Sequence, residues 1–385
     1  MRYKFLFICG LLAAFCGMTA CKHQKKALPE ENYLEFIEHI ISDAYSEHPD
    51  ASVFTAAFNQ DAFAGRILAQ GDLPKDMSDK VKTFLKEYFQ PGRQMLARID
   101  QGADYQLIHL YFQHDTARAL FRVYHTTVTF EEWIMLAEKK EIAIIDVCDP
   151  ISGMCWSDEW NMNACAYLNM ETDHTLINEK LIRINQLIGA GEFGKADSLF
   201  SWIEQATQTN AYARAMRLNL ISQSQSYDSL QTYCRQFLRQ FPERRASVSF
   251  FCLQNAIANG LMPQVHRHCD ELGESLGYDP IFFLYLAWGY KAAGNLPESL
   301  RMLDSLTRYI PVQYDFYNYK LDLYYDMKDA KGFALQMNRI DSLFSASEED
   351  IPFYEKTYPE MKDTPGFKAW KNSHEQKLAA ERAAL

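Results

Sequence analysis

The sequence predicts an α+β N-terminal domain, with helices packed on an antiparallel meander sheet, followed by an all-α array of about five helix pairs. Three observations predict it. Apolar residues from Tyr33 to Ile41 recur at helical spacing. Between residues 105 and 148 the spacing changes to strand-like alternation rich in Val, Ile, Phe, Tyr and Trp. From about Leu176 the helical period returns, and its segments repeat.

The first helix rests on Tyr33-Leu34, Phe36-Ile37 and Ile40-Ile41. Residues 59–69 and 78–89 read as two more, with Leu73-Pro74 as the break between them. After Pro91-Gly92 the period changes, and Tyr105, Leu107, His109 and Tyr111 alternate. Runs 105–113, 118–125, 129–137 and 141–148 read as strands, joined by Gln113-His114-Asp115, Thr126-Thr127 and Glu138-Lys139-Lys140. Joints this short make hairpins, hence a meander. Helices ahead of strands place the helices on one sheet face. The α+β domain is assigned to 31–160 and a linker helix to 161–175.

Gly191 and Gly294 stand in matching Ala-Gly turns 103 residues apart, three units of about 34. Gln225-Ser226-Tyr227, Gly260-Leu261-Met262 and Lys328-Asp329-Ala330 fall on the same schedule. With units starting at Ile177, Ala211, Ala246, Pro280 and Tyr314, apolar positions coincide. The eighth is Ile184, Leu218, Leu253, Ala287 and Leu321; the twenty-seventh is Ile203, Phe237, Leu272, Leu306 and Ile340. Pro242 and Pro311 stand at the thirty-second, where a helix stops. This register over 176–347 resembles the tetratricopeptide repeats, although Leu230 and Phe333 are bulky where the family has a small residue. The resemblance implies a curved solenoid whose first helices line a concave ligand face. Residues 348–385, with Pro352, Pro359 and Pro365, read as a cap and an exposed helix. The α+β half is loosely similar to the nuclear-transport-factor-like and cystatin-like folds. It also resembles a run that precedes repeat arrays in some bacterial proteins, through a final strand ending in Asp146-Val147. Asp146 is read as a turn residue at the sheet's end.

At the N-terminus Arg2 and Lys4 precede an apolar run from Phe5 to Phe15, and Met18-Thr19-Ala20-Cys21 follows. The run is too short to span a bilayer and suits a signal peptide. The small residue before Cys resembles the lipobox of bacterial lipoproteins, the Bacteroidetes type included. That implies a signal over 1–20, lipidation of Cys21 and a tether over 21–30. Lys22 to Lys26 carries no acid. By the same resemblance the anchor belongs in the outer membrane, facing the periplasm. The alternative is an ordinary secretion signal with an incidental Cys21.

A net charge of −11 argues against a nucleic-acid partner. Cys148, Cys155, Cys165, Cys234, Cys252 and Cys269 lie beyond the signal and the lipobox. A Cys155–Cys165 disulfide is one reading, isolated buried thiols the preferred one. Catalytic motifs dissolve into decoys. Gly273-Glu274-Ser275-Leu276-Gly277 matches a nucleophile elbow in letters but closes a helix. His266, His268 and Cys269 lack a second ligand pair and read as solvated histidines beside a packed thiol. His39 with Asp43 is a lone pair, and His109 and His125 read as cross-strand packing. No cofactor, metal or enzymatic activity is expected.

Carried over from the repeat family, the ninth positions Asn185, Asn219, Gln254, Trp288 and Asp322 point into the groove. The fifth positions lack the lysines of a carboxylate clamp. What remains is an apolar centre of Phe250, Ile281, Leu284 and Trp288, bordered by Asp315, Asp322 and Asp326. The expectation is a scaffold or adaptor that binds a protein or peptide partner in the cell envelope. The alternative is a lipoprotein that binds a small ligand or glycan through the sheet domain or the aromatic groove.

Overall fold

A computed structural model describes residues 28–384, apart from 71–72, 125–127, 139, 169–173, 207–210, 225–226, 243, 311–312 and 345–346. The signal segment, Cys21, the Lys-rich run and the Thr126-Thr127 joint with His125 lie outside the described residues. Among the described residues no helix is long and apolar enough to cross a membrane. The chain divides into two compact units, one ending at Met216 and the other beginning at Arg217.

The first unit opens with α1 (Glu30–Ala44), which buries Tyr33, Ile37, Ile40 and Ala44. Two short helices follow, each started by a side-chain cap. Asp50 accepts from the Ser52 amide ahead of α2 (Ala51–Ala56), and Asn59 accepts from the Ala62 amide ahead of α3 (Gln60–Ala69). After α4 (Ser78–Tyr88) the Pro91-Gly92 pair, expected to mark the change to strand-like spacing, instead begins α5 (Pro91–Asp100). Proline suits the first helical position because that amide has no helical partner in any case. Gly92 is required by packing: a Cβ there would lie 1.8 Å from the Ala51 carbonyl oxygen.

Five antiparallel strands then run in the order β1-β2-β3-β4-β5: β1 (Asp104–Gln113), β2 (Thr116–Tyr124), β3 (Val128–Glu138), β4 (Glu141–Asp149) and β5 (Met154–Cys155). The β3–β4 register shifts next to Ile134, leaving Ile145 as an extra residue on β4. Before that bulge the outer edge of β4 bonds residues 57–59, where Phe58 forms a parallel bridge with Ile144. After it the same edge takes β5. The helix-facing side packs Trp133, Phe121, Val147 and Ile144 against Phe54, Phe58 and Phe63. The opposite face is buried as well, at Leu120, Phe130 and Ile134. The expectation of cover on one face alone is thereby corrected. A sheet buried on both sides carries continuous apolar runs in place of strict alternation, and β2 is buried at nearly every residue.

Helix α6 (Trp156–Tyr167) places Trp160, Ala164 and Cys165 in this same core. The α+β core therefore runs past residue 160, into the segment assigned to a linker. α7 (His174–Gly189) and α8 (Phe193–Ala206) pack as a pair and complete the unit.

The second unit starts within α9 (Ala211–Ser224). It continues with α10 (Tyr227–Gln240), α11 (Arg245–Ala258), α12 (Met262–Leu276), α13 (Phe282–Ala292), α14 (Leu296–Tyr309), α15 (Tyr314–Asp326) and α16 (Ala330–Leu343). Along the chain, alternate helices begin at 193, 227, 262, 296 and 330, which are 34, 35, 34 and 34 residues apart. Four of the joints share one geometry. The amides of Glu192, Leu261, Asn295 and Asp329 bond the carbonyls of Leu187, Ala256, Tyr290 and Tyr324 at 2.8–2.9 Å. Gly191, Gly260, Gly294 and Lys328 hold positive φ just before them. This is the helix-ending turn in which one residue must adopt the left-handed conformation. Lys328 does so without being glycine, because the turn repeats regardless of the side chain.

The repeated apolar positions are interior. Leu218, Leu253, Ala287 and Leu321 are buried, as are Leu230, Val265, Ser299 and Phe333. The chain ends in α17 (Asp350–Thr357) and α18 (Pro365–Ala384), which share a core of Tyr354, Tyr358, Phe367 and Trp370 with α15 and α16.

Candidate functional site

The expected groove residues separate into three kinds. Trp288 and Gln254 are exposed, Trp288 at 39%, and Asn219 and Phe250 are half-buried. Phe250, Tyr285 and Trp288 form an aromatic line, with centroid spacings of 5.7 and 5.6 Å. Ile281 and Leu284, expected as an exposed ridge with Trp288, are instead buried at 1% and 8%. Helix α13 packs on α14, α12 and α11, and both residues are buried in that surrounding. Asp322 is engaged by the C-terminal cap, where the Tyr358 hydroxyl donates to it at 2.6 Å. One turn earlier, the Tyr354 hydroxyl donates to Asn318 at 3.4 Å. Asp326 pairs with Lys291 at 3.0 Å. Asn185 is exposed on α7, in the first unit.

Sequence reasoning missed two buried polar networks. In the second unit α10, α11 and α12 converge on His268. Its Nε2 lies 2.6 Å from the Tyr227 hydroxyl and its Nδ1 2.7 Å from Glu271, which also accepts from Ser249 at 2.9 Å. Arg267 donates to the same tyrosine hydroxyl. His268 is buried, while His266 is exposed beside Tyr290, so the reading of both as solvated is corrected. Burial pushes the His268 imidazole below its ordinary pKa, against the opposing pull of Glu271. Burial also raises the Tyr227 hydroxyl to about 12. A neutral histidine held between a carboxylate and a phenol orients groups in the core. The available signal was helical spacing: His268 stands one residue before core Cys269 and three before Glu271.

In the first unit Asp146, expected at a turn, is a fully buried strand residue opposite Ile134. It accepts from Arg66 Nε at 2.7 Å, the Ser157 hydroxyl at 2.6 Å, the Ser157 amide at 3.1 Å and its neighbour's amide, Val147, at 3.0 Å. It thus joins α3, β4 and the first turn of α6. Beside it Cys148 and Cys155 form a disulfide. They are direct partners in the β4–β5 register, which replaces both the Cys155–Cys165 pairing and the all-thiol reading. Cys165 is a buried thiol. Asp146, Cys148 and Cys155 hold their ligand atoms within 4.8 Å of one another. They make a poor metal cradle, since the sulfurs bond each other and the carboxylate already accepts four hydrogen bonds.

The remaining decoys resolve structurally. Ser275 donates to the Glu271 carbonyl inside α12, and Gly277 ends that helix at φ 78°. His109 is exposed and stacks on Tyr111. His39 and Asp43 line an open depression along α1. Compared with protein-family models, with curated proteins and with solved structures, the chain matches none.

Proposed function

We propose that this chain is a non-catalytic envelope lipoprotein, anchored through Cys21, whose helix pairs form a tetratricopeptide-like array that binds a protein or peptide segment. The observation that carries the reading is Trp288. It is a large aromatic left 39% exposed on a first helix, linked through Tyr285 to half-buried Phe250. A rigid aromatic seated on a packed base is how interface anchors are built. The 34-residue pitch, the repeated helix-ending turn and the buried eighth and twentieth positions support the array. The lipobox supports export and anchoring, with the outer membrane facing the periplasm as the proposed site. The buried networks around His268 and Asp146 join packed helices and strands, which supports a scaffold in preference to an enzyme.

The test is affinity capture from detergent-solubilised envelopes with the wild-type chain and Trp288→Ala. The variant should keep its melting temperature within a few degrees yet lose captured partner at least ~10-fold, since anchors carry a disproportionate share of binding energy. Equal capture by both proteins would remove Trp288 as the anchor. Loss of stability would make it packing.

A further inference from the structure

Cys234 on α10 and Cys252 on α11 bring their sulfurs to 3.4 Å. A disulfide bond is about 2.05 Å long, so the two need to close by only ~1.4 Å. The helices that carry them pack directly on each other. Both side chains are buried, at 3% and 1% exposure, and Gln231 Nε2 donates to Cys252 Sγ at 3.1 Å. Neither sulfur belongs to the Cys148–Cys155 disulfide or to the aromatic face around Trp288. We propose that Cys234 and Cys252 are an oxidisable dithiol that closes into a second disulfide, joining the last helix of one pair to the first helix of the next.

The chemistry is exchange with a low-molecular-weight disulfide, for which oxidised glutathione serves. One cysteine thiolate attacks the glutathione S–S bond, which breaks to release one glutathione thiol and leaves a mixed disulfide on the protein. The second thiolate attacks the protein sulfur of that mixed disulfide. The protein S–S bond forms and the second glutathione leaves. Two protein thiols are oxidised, one small disulfide is reduced to two thiols, and the two protons lost by the protein end on the glutathiones. In the closed helix pair the thiolate is scarce: the sulfur–sulfur hydrogen bond, and then burial, hold the Cys234 thiol far above its ordinary range. Exchange therefore runs through brief separation of α10 from α11. Re-docking then places the second sulfur in reach of the first. The oxidised form fixes the hinge between successive helix pairs; the reduced form leaves it free to flex.

The experiment uses the full chain, incubated with oxidised glutathione at a denaturant concentration below its unfolding transition, then alkylated and digested with trypsin without reduction. The expected product is peptide 218–235 linked to peptide 246–267. Cys252→Ala should abolish that product while leaving the Cys148–Cys155 bridge intact within its own peptide. Reduction should lower the melting temperature of the oxidised wild type several degrees further than that of Cys234→Ala/Cys252→Ala, which keeps only the sheet disulfide. Recovery of Cys234 and Cys252 as alkylated thiols, as glutathione adducts without a link, or linked to Cys165 or Cys269 would overturn the proposal. So would an equal effect of reduction on the two proteins.

Discussion

Replacing Asp146 by alanine should be among the most damaging single changes in the first unit. The carboxylate is fully buried and accepts four hydrogen bonds from Arg66, Ser157 and Val147. Its removal leaves the Ser157 amide and hydroxyl and the Val147 amide without their acceptor. A buried donor orphaned in this way costs roughly 1–3 kcal/mol. Arg66 loses its counter-ion, but its side chain is 36% exposed and rehydrates, so its share is discounted. Water entering the vacated space offsets part of the remainder. The net expectation is about 4 kcal/mol, within the ~3–5 kcal/mol typical of breaking a buried pair. Since ~1 kcal/mol moves a domain of this size by about 2–4 °C, the transition of the first unit should fall by roughly 10 °C. Because Asp146 lies in the first unit, the assay should be hydrogen exchange on peptides from β3 and β4, with bulk melting as a companion. Arg66→Ala should cost less, and the double variant should show strong coupling between the two positions. A loss below about 1 kcal/mol for Asp146→Ala, or additive single effects, would refute the claim that this carboxylate joins α3, β4 and α6.

Further outcomes follow from the second unit. Leu253→Asp and Leu306→Asp each place a charge at a fully buried position and should cost several kcal/mol in urea unfolding. Glu298→Lys should be nearly neutral beside them, since it breaks only an exposed pair with Arg301 at the first turn of α14. Three equal effects would undo the assigned repeat phase. Because burial lowers the His268 pKa, the unfolded chain binds this proton more readily than the folded one. Stability should therefore fall as pH drops below about 6.5, the ordinary imidazole value, and the loss levels off at the lowered folded value. His268→Gln should be less stable at pH 7.5 yet lose less on going to pH 5; parallel pH profiles would show that His268 does not carry this dependence.

The meander was legible because each strand announces itself locally, by β-rich composition and a short joint. The helix pairs were legible because their turns recur on a fixed schedule. The missed elements depend on distant partners. α5 hides behind Pro91-Gly92, a pair that breaks a helix in its interior but begins one when the first-turn glycine must meet another helix. β5 has only two residues, and its meaning lies in seating Cys155 opposite Cys148. Asp146 finds Arg66 eighty residues away. No periodicity in the sequence encodes that pairing.

The groove shows where transfer from a repeat pattern fails and what the failure implies. The pattern gives the second and fifth residues of each first helix to the concave surface, which made Ile281 and Leu284 ligand-facing. In this chain α13 packs on α14, α12 and α11, and those two positions are buried. At the other end, α17 sets Tyr354 and Tyr358 against Asn318 and Asp322, so the last pair's inward positions serve the chain's own cap. Of the expected groove residues in the second unit, Trp288 and Gln254 stay exposed, with Phe250 and Asn219 half-buried. Under the proposed adaptor reading, a face centred on Trp288 fits a short segment with one dominant anchor. It follows that a single truncation at Trp288 should remove most of the binding, whereas Asp322→Ala should act chiefly on stability, by releasing Tyr358.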